Sequence, residues 1–539
     1  MKKTILVAFI AMASLAANAQ QNSLLNSTFW QSKPDVAAVK AEVEKGNNPS
    51  QMNGSSFDPV VMAINADAPI ESIKYLLTQP GNDINKTTHD SRNYLHWAAS
   101  KGNSEIIEFL LAKGAKTNNE DSHGSTPILF AAGGGQQNTK VYDLLIAKGV
   151  DLKKAVNSEG ANALLLAISS DPEMKLTDYF VSKGLSINST DADGNNAFSY
   201  AARSGNMEML KMLQQKGIKP NSNAMLMAAQ GSRRGANSLA LFQYLESLKL
   251  KADVTGKDGQ NALHSIVRRP GQDEIIQYFL AKGVDVNQAD EEGNSVFMNA
   301  AASNRDTAVL ELLLPKVKNI NQANQKGLSA LSVAVRGNSP EVVGYLIRKG
   351  ADVKILDKAG NSLAFYAVES YRPQSTQPMA AMGGRGQGSR PGAGATAGPS
   401  ASQGAGQGGL GAPGGRGPGM GPKPEDFDNK IKSLQTAGLD LKALQENGST
   451  LFHLAIAKND VAILKRLQAL GLDVNAKDKE GFTPLHKAAL IAKDDVVLKY
   501  LVEAGAKKDA ATSYQETAFD LASENETLKK NNVLLTFLK

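Results

Sequence analysis

The feature that most constrains the fold is an internal repeat of about 33 residues. Its clearest copy runs Glu480-Gly-Phe-Thr-Pro-Leu-His-Lys-Ala-Ala489 and is followed by an apolar segment over 495–505. Aligned on position 486, the pattern recurs at Val61, His96, Leu129, Leu165, Ser199, Leu226, His264, Met298, Ser332, Phe365, His453, His486 and Asp520. Neighbouring anchors lie 27 to 38 residues apart, except for one interval of 88. Because one copy cannot enclose a core, the copies must stack and bury their apolar faces against one another.

Each copy predicts a turn followed by two helices. Glycine stands five residues before most anchors, as at Gly481, where a tight hairpin turn requires a positive φ. Thr483 fits an N-cap and Pro484 fits the first helical position. The second segment carries apolar residues at helical spacing, as over 342–347, and ends at a glycine such as Gly350, a suitable left-handed C-cap.

On these residues the chain resembles the ankyrin-repeat family, whose repeat has about 33 residues and a T-P-L-H-x-A helix start. The resemblance covers nearly all of residues 24–539. It implies an all-α solenoid with short β-hairpin fingers. It also implies that protein partners bind the concave surface built from the fingers and the first helices.

The repeats divide the chain into segments. We predict an N-terminal capping repeat over 20–56, ankyrin repeats over 57–372 and 425–513, and a C-terminal capping repeat over 514–539. The interval from Ser199 to Leu226 has only 27 residues, and Pro220-Asn-Ser-Asn223 replaces the usual turn. We therefore expect one finger to be cut short there.

The interval of 88 residues contains an insertion over 373–424. Its 52 residues include 17 of the 49 glycines and 8 of the 20 prolines, a composition that predicts a disordered loop. Helix 1 of that repeat runs through 362–368 and helix 2 begins at 425, so the insertion lies in the turn between them. Two Gly-Gly-Arg-Gly segments resemble sequences that contact RNA, but three arginines without interleaved aromatics favour a flexible tether over nucleic-acid binding.

Residues 1–19 are typical of a secretory signal peptide. Two lysines precede a short apolar run, which ends in Ala17-Asn18-Ala19, so cleavage is expected between Ala19 and Gln20. The run is too short for a membrane-spanning helix, and no cysteine follows the site to carry a lipid anchor. We expect an exported chain without a membrane anchor, similar to the exported ankyrin-repeat proteins of bacteria. Its expected location is the periplasm, with the extracellular space as the alternative.

The charge of the chain does not indicate a nucleic-acid-binding face. The formal net charge is +6, but two of the cations are Lys2 and Lys3 and four more lie in the insertion. Removing these six from the 59 cations leaves 53 against 53 carboxylates. Cysteine is absent, which excludes disulfides, iron–sulfur clusters and a thiol nucleophile.

Catalytic and cofactor motifs are missing from the sequence. No Gly-x-Ser-x-Gly, phosphate-binding loop or dinucleotide fingerprint occurs, so we expect neither an enzyme nor a cofactor. The resemblance implies a hydrogen-bonding structural role for four of the six histidines, His96, His264, His453 and His486. No metal site is expected, because no set of three or four ligands has a suitable spacing.

Charged and aromatic residues recur at fixed places in the repeats. Aromatics after the anchor, Trp97, Phe130, Tyr200 and Tyr366, are interpreted as core rather than as a recognition patch. Basic residues follow helix 1 and acidic residues gather at the finger turns, which gives the solenoid two sides of opposite charge, although both sets also fit helix-end and turn preferences. The residues predicted to contact a partner are Asp121, His123, Asp193, Asp258, Asp290 and Glu292.

The sequence thus predicts a monomeric, exported scaffold that binds one or more unidentified proteins. Two alternatives remain. A secreted, host-directed effector of the same fold would leave the periplasm, and an enzyme with an unrecognised site would carry a deep pocket with perturbed titratable groups.

Overall fold

The computed structural model describes residues 22–232, 235–372 and 424–539. The predicted signal peptide, its cleavage site at Ala19 and Gln20, and residues 373–423 of the predicted insertion lie outside the described residues. The described residues fall into two compact units, the first ending at Asn237 and the second beginning at Ser238.

The first unit is a stack of helices joined by turns. Its α-helices are α1 Ser27–Gln31, α2 Val36–Glu44, α3 Pro59–Asn65, α4 Ile70–Leu77, α5 Tyr94–Lys101, α6 Ser104–Ala112, α7 Pro127–Gly133, α8 Thr139–Ala147, α9 Ala163–Ile168, α10 Lys175–Ser182, α11 Ala197–Ser204, α12 Met207–Gln215 and α13 Asn223–Gln230. First helices pack on first helices, as α5 does on α7, and second helices pack on second helices, as α6 does on α8.

The second unit has the same plan. Its α-helices are α14 Leu239–Ser247, α15 Ala262–Ile266, α16 Asp273–Ala281, α17 Val296–Ser303, α18 Thr307–Leu313, α19 Ala330–Gly337, α20 Pro340–Arg348, α21 Leu363–Ser370, α22 Pro424–Thr436, α23 Leu451–Ile456, α24 Val461–Ala469, α25 Pro484–Ile491, α26 Val496–Glu503, α27 Ala518–Glu524 and α28 Glu526–Lys530. If α1 and α2 are set aside as the N-terminal cap, the described residues of the two units form 26 α-helices. This is the number that thirteen helix pairs require. The all-α, repeat-built fold is confirmed.

Short 3-10 turns complete the helical structure at Ser23–Leu25, His89–Ser91, Leu314–Lys316 and Thr536–Leu538. At the N-terminus, α1 packs on α3 and α2 packs on α4. The indole of Trp30 is buried there, and its Nε1–H donates to the carbonyl of Leu24 over 2.8 Å. These contacts cover the apolar end of the first unit.

The anchor residue found in the sequence is the third residue of each first helix. Twelve of the thirteen anchors stand three residues after an N-cap, as His486 does after Thr483, whose Oγ1 accepts the His486 amide. Leu226 is the exception, because α13 begins at Asn223 and places Leu226 one residue later. The alignment at that repeat is therefore corrected by one position.

The fingers are shorter than ordinary strands. Each has at most a single antiparallel bridge, as between Val156 and Asn162, Thr190 and Asn196, or Ala289 and Ser295. The predicted shortening of one finger is confirmed, since only seven residues separate α12 from α13, whereas fourteen separate α10 from α11. In its place, the side-chain amides of Asn221 and Asn223 donate to the carbonyls of Gly194 and Asp193, each over 3.1 Å.

Asparagine side chains connect successive repeats, a role that we did not predict from the sequence. The Asn475 amide donates to the carbonyl of Gly505 over 2.9 Å, and its Oδ1 accepts the Lys507 amide over 2.8 Å. Asn85, Asn287 and Asn321 bridge the following repeat in the same way. The sequence does contain a pattern that could have predicted this role, because each of these residues ends an Asp/Asn-x-Asn triplet just after a second helix.

The repeat that carries the insertion is complete in the structure. Helices α21 and α22, which precede and follow it, pack together, with the rings of Tyr371 and Phe427 edge to face at 5.7 Å. The buried Lys430 donates from Nζ to the carbonyl of Val335 over 2.9 Å, so α22 also closes the C-terminal end of α19. The insertion thus falls between the two helices of one pair.

Replacing residues 373–423 with a short turn should preserve this pair. Loop-closure entropy costs about 0.6 kcal/mol per doubling of loop length, so shortening by a little over three doublings should stabilise the protein by up to about 2 kcal/mol. Urea unfolding of the deletion variant measures this change. Loss of the packing between α21 and α22 in that variant would show that the inserted residues are needed for the fold.

Candidate functional site

The finger turns are built around one carboxylate each. In the finger over residues 121–125, Oδ1 of Asp121 accepts the amides of His123 and Ser125, both over 2.9 Å. The Gly124 amide donates to the Asp121 carbonyl over 2.9 Å, and Gly124 takes the positive φ of 69° that this tight turn requires. An aspartate at this place is therefore a turn former.

The same arrangement recurs in both units. Asp191, Asp290, Asp357 and Asp478 each accept the amides two and four residues further on, over 2.7–3.1 Å. Asp258 accepts the Gln260 amide alone, over 3.0 Å. Most of the predicted acidic side therefore consists of side chains that stabilise their own turns.

The six residues predicted to contact a partner differ in accessibility. Asp193 is exposed, whereas Asp258, Asp290 and Glu292 are half-buried. The side chain of His123 is 32% exposed. Asp121 is only 6% exposed, and both of its carboxylate oxygens have partners within the chain. The prediction that Asp121 contacts a partner from the surface is therefore corrected, because its side chain is buried.

A buried arginine explains the position of Asp121. Arg92 is 3% exposed and donates from Nε to Oδ2 of Asp121 over 2.9 Å, while its NH1 lies 3.0 Å from a carboxylate oxygen of Asp90. The guanidinium lies 4.3 Å from the ring centre of Phe130 and 5.4 Å from that of Trp97. Such a stacked, doubly paired arginine fixes one finger against the next.

Two histidines lie close to the carboxylate of Asp90. His89 Nε2 lies 3.4 Å and His123 Nε2 lies 3.8 Å from Oδ2 of Asp90. Asp90 itself has a positive φ of 55°, an uncommon backbone for a residue with a side chain. We did not identify this cluster from the sequence, because its members belong to two successive fingers.

The aromatic residues after the anchors are core residues, as predicted, with one difference. Trp97, Tyr200 and Tyr366 are buried, whereas Phe130 is half-buried. Phe130 and Phe57 contact Trp97 edge to face, with ring centres 5.6 and 5.4 Å apart. The three rings therefore form an aromatic cluster that is mostly shielded from solvent.

The basic residues that follow the first helices are also engaged locally. Lys101 pairs with Asp67 over 2.9 Å, and Arg336 pairs with Glu369 over 3.1 Å. Arg203 donates from Nε to the carbonyl of Gly231 over 3.1 Å. Arg233 and Arg234, which follow α13 in the sequence and belong by position to the same predicted basic side, lie outside the described residues.

The four anchor histidines join each first helix to the next repeat, which confirms their structural role. In His486, Nδ1 accepts the backbone amide of Thr483 over 3.0 Å and Nε2 donates to the carbonyl of Ala510 over 3.0 Å. His96, His264 and His453 make the equivalent pair of bonds. Nδ1 is an acceptor and must stay unprotonated. Burial lowers the pKa of all four, that of His96 to about 4.

Acidification should therefore destabilise the protein. Because the folded pKa of His96 is below the unfolded value of about 6.5, the unfolded state binds the proton first, and stability is lost as pH falls from 6.5 toward 4. Between pH 7.5 and pH 5.0, His96 alone should reduce the free energy of unfolding by about 2 kcal/mol. Urea unfolding at the two pH values measures this loss.

His96→Leu is the matched variant, since leucine occupies the same position at Leu129 and Leu165. Its loss of stability between the two pH values should be about 2 kcal/mol smaller than that of the unmodified protein. An equal loss in both proteins would show that His96 is not the titrating group.

Among the residues that the structure describes, no group of three histidine or carboxylate side chains is arranged to hold a metal ion. No helix formed by the described residues has the length and apolar character needed to cross a membrane.

Comparison with protein families gives one match that extends along most of the chain. The family model described as ankyrin repeats (3 copies) matches residues 60–155, 136–224, 225–322, 297–377, 427–512 and 452–537. These ranges together cover well over half of the sequence. They leave out most of the region between the two helices of the interrupted repeat.

Individual relatives match only short parts of the chain. The human (Homo sapiens) 26S proteasome non-ATPase regulatory subunit 10 is 34% identical over 76 residues, which are 14% of this chain and 34% of that protein. The RelA-associated inhibitor of Mus musculus is 27% identical over 106 residues, 19% of this chain and 12% of that protein. The putative ankyrin repeat protein L271 of Acanthamoeba polyphaga mimivirus is 35% identical over 78 residues, 14% of this chain and 11% of that protein. The chain thus spans about a third or less of the length of each.

Proposed function

This chain belongs to the ankyrin-repeat family, and from that membership we propose that it is a non-catalytic scaffold that binds protein partners through its fingers and first helices. The observation that carries the proposal is the repeated finger. In each unit, turns held by their own carboxylates and by bonds to the next finger present a preformed row of short loops. Binding to such a row costs little ordering entropy and distributes the contacts over several repeats.

The relatives are consistent with this proposal. Their names describe a regulatory subunit of the 26S proteasome and an inhibitor associated with RelA, which are functions exerted on other proteins. Affinity capture with the intact chain, followed by measurement of the affinity of each captured protein, tests the proposal. A chain that binds no protein at micromolar concentration, or that turns over a small molecule, would contradict it.

Charge on the fingers should affect how fast a partner binds. Asp193 and Glu291 are exposed and lie in finger turns of the first and second unit. If a captured partner is basic at its contact surface, Asp193→Lys together with Glu291→Lys should slow association severalfold at low salt and reduce its salt dependence. Stopped-flow association rates at two salt concentrations measure the effect.

The matched control changes the net charge equally on second helices. Glu208 lies in α12 and Glu274 in α16, and both are exposed. Glu208→Lys with Glu274→Lys should leave the association rate within about twofold of the original. Equal slowing by both double variants would indicate that the net charge, rather than the fingers, controls association.

Export remains part of the proposal, supported by the signal-like residues 1–19. The mature protein would begin at Gln20 and act as a monomer in the periplasm. N-terminal sequencing of the protein from cell fractions tests both points. An intact Met1 in envelope material would contradict cleavage, and recovery in the medium alone would favour the secreted effector.

A further inference from the structure

Successive fingers of the second unit are joined by a regular backbone hydrogen bond. In each finger, the residue that follows the turn-forming side chain donates its backbone amide to a backbone carbonyl of the preceding finger. Gln325 donates to Glu292 in this way and Lys358 donates to Lys326, each over 3.0 Å. Further along, Lys479 donates to Asn447 over 3.3 Å and Ser513 to Glu480 over 3.1 Å.

This series is interrupted at one step, between the fingers that precede and follow the predicted insertion. Among the described residues, neither the amide of Glu446 nor the carbonyl of Ala359 has a hydrogen-bond partner. The backbone nitrogen of the following finger also lies further away here. A Cβ built on Gly360 would be 3.9 Å from the nitrogen of Glu446, whereas one on Gly327 would be 2.7 Å from that of Lys358.

Two comparable interruptions occur in the first unit, and side chains of the chain itself fill them. Oγ of Ser158 donates to the carbonyl of His123 over 2.8 Å. At the shortened finger, the amides of Asn221 and Asn223 donate to the preceding finger. No described side chain does this for Ala359 and Glu446.

A pocket lies at the interrupted step. Its lining includes the half-buried side chains of Phe365 and Leu454, together with Asn361 and Asn447. One residue before each of the two turns, Leu356 and Leu444 are 55% and 58% exposed. The corresponding residues of the flanking fingers are Ala323 and Lys477, so among these four fingers the two at the interrupted step carry the exposed leucines.

We propose that this pocket is where a protein partner inserts an extended peptide segment. A carboxamide side chain of that segment, from asparagine or glutamine, donates to the Ala359 carbonyl, as Asn221 and Asn223 donate to carbonyls of their preceding finger. Its oxygen also accepts the Glu446 amide. An apolar side chain beside it covers Phe365 and Leu454. The proposal rests on the scaffold function proposed above and assigns it a site and a class of ligand.

The first test examines the unpaired amide without any partner. Glu446 is the second residue of a turn closed by the bond from the Gly448 amide to the Gln445 carbonyl, a position that accepts proline. Glu446→Pro should leave the urea midpoint unchanged, because its amide has no partner among the residues that the structure describes. Lys358→Pro, at the same place in the preceding finger, should lower the midpoint because it removes the bond to Lys326. Equal losses in both variants would overturn the proposal.

The second test uses a displayed library of random twelve-residue peptides as the probe, with the intact chain as bait. The enriched peptides should share an asparagine or glutamine next to a large apolar residue. Their affinity should fall at least tenfold for Glu446→Pro and remain within twofold for Glu446→Ala, which keeps the amide. Leu454→Ser should also weaken binding.

Two results would overturn the site. One is enrichment of peptides that bind Glu446→Pro as well as they bind the unmodified chain. The other is failure to enrich any peptide, which would leave the pocket filled by water only. Neither result would remove the scaffold function, because affinity capture can still yield a partner that binds elsewhere. Absence of any captured protein would contradict that function separately.

Discussion

Gly124→Ala should destabilise the first unit by about 3 kcal/mol, well beyond the strain of an alanine at positive φ. That strain alone is worth about 1–2 kcal/mol. In addition, the new Cβ would stand 2.7 Å from the backbone nitrogen of Ser158 and 3.0 Å from its Cβ, so the next finger would have to move. Urea unfolding of the variant measures the change.

Gly194→Ala is the matched control in the same unit. Gly194 closes an equivalent turn with a φ of 80°, but the finger that would cover it is cut short and no atom lies within 4 Å of the added Cβ. The control should therefore cost only the backbone strain, about 1–2 kcal/mol. Equal losses in the two variants would show that stacking of the fingers contributes nothing to stability.

Arg92→Met should destabilise the first unit by about 3–5 kcal/mol. The substitution leaves the carboxylate of Asp121, whose side chain is 1% exposed, without its counter-charge. It also removes the guanidinium from the face of Phe130. Adding Asp121→Asn should recover part of the loss, since the asparagine retains an acceptor for the turn amides and carries no charge.

An exposed arginine pair supplies the comparison. Arg336 and its partner Glu369 are each 40% exposed, so Arg336→Met should cost no more than about 1 kcal/mol. A small loss for Arg92→Met, similar to that for Arg336→Met, would show that the buried pair does not hold the two fingers together.

Local repetition made most of the fold predictable from the sequence. The spacing of the anchors identified the helix pairs, because an N-cap, a third helical residue and a terminal glycine recur in nearly every copy. The shortened finger after Ser199 and the position of the insertion followed from deviations in that spacing. The alignment slipped by one residue at Leu226, where the turn residues that fix the register are missing.

The candidate site was less predictable, because its chemistry depends on contacts between repeats. In the sequence, Asp121 is indistinguishable from the other acidic finger residues. Its burial depends on pairing with Arg92, which lies 29 residues earlier in the preceding finger. The sequence likewise gives no sign that the Glu446 amide lacks a partner among the described residues. Such features arise from how two copies fit together, and periodicity within a copy carries no information on that fit.

Partners should contact the fingers and first helices, and site-specific photo-crosslinking tests this most directly. A photoreactive amino acid would replace Asp193 or Glu291 in the fingers, and Glu208 or Glu274 on second helices, in the intact chain bound to a captured partner. We expect crosslinked partner from at least one finger position and none from the second helices. Crosslinks confined to Glu208 or Glu274 would contradict the claim and place binding on the opposite face of the repeats.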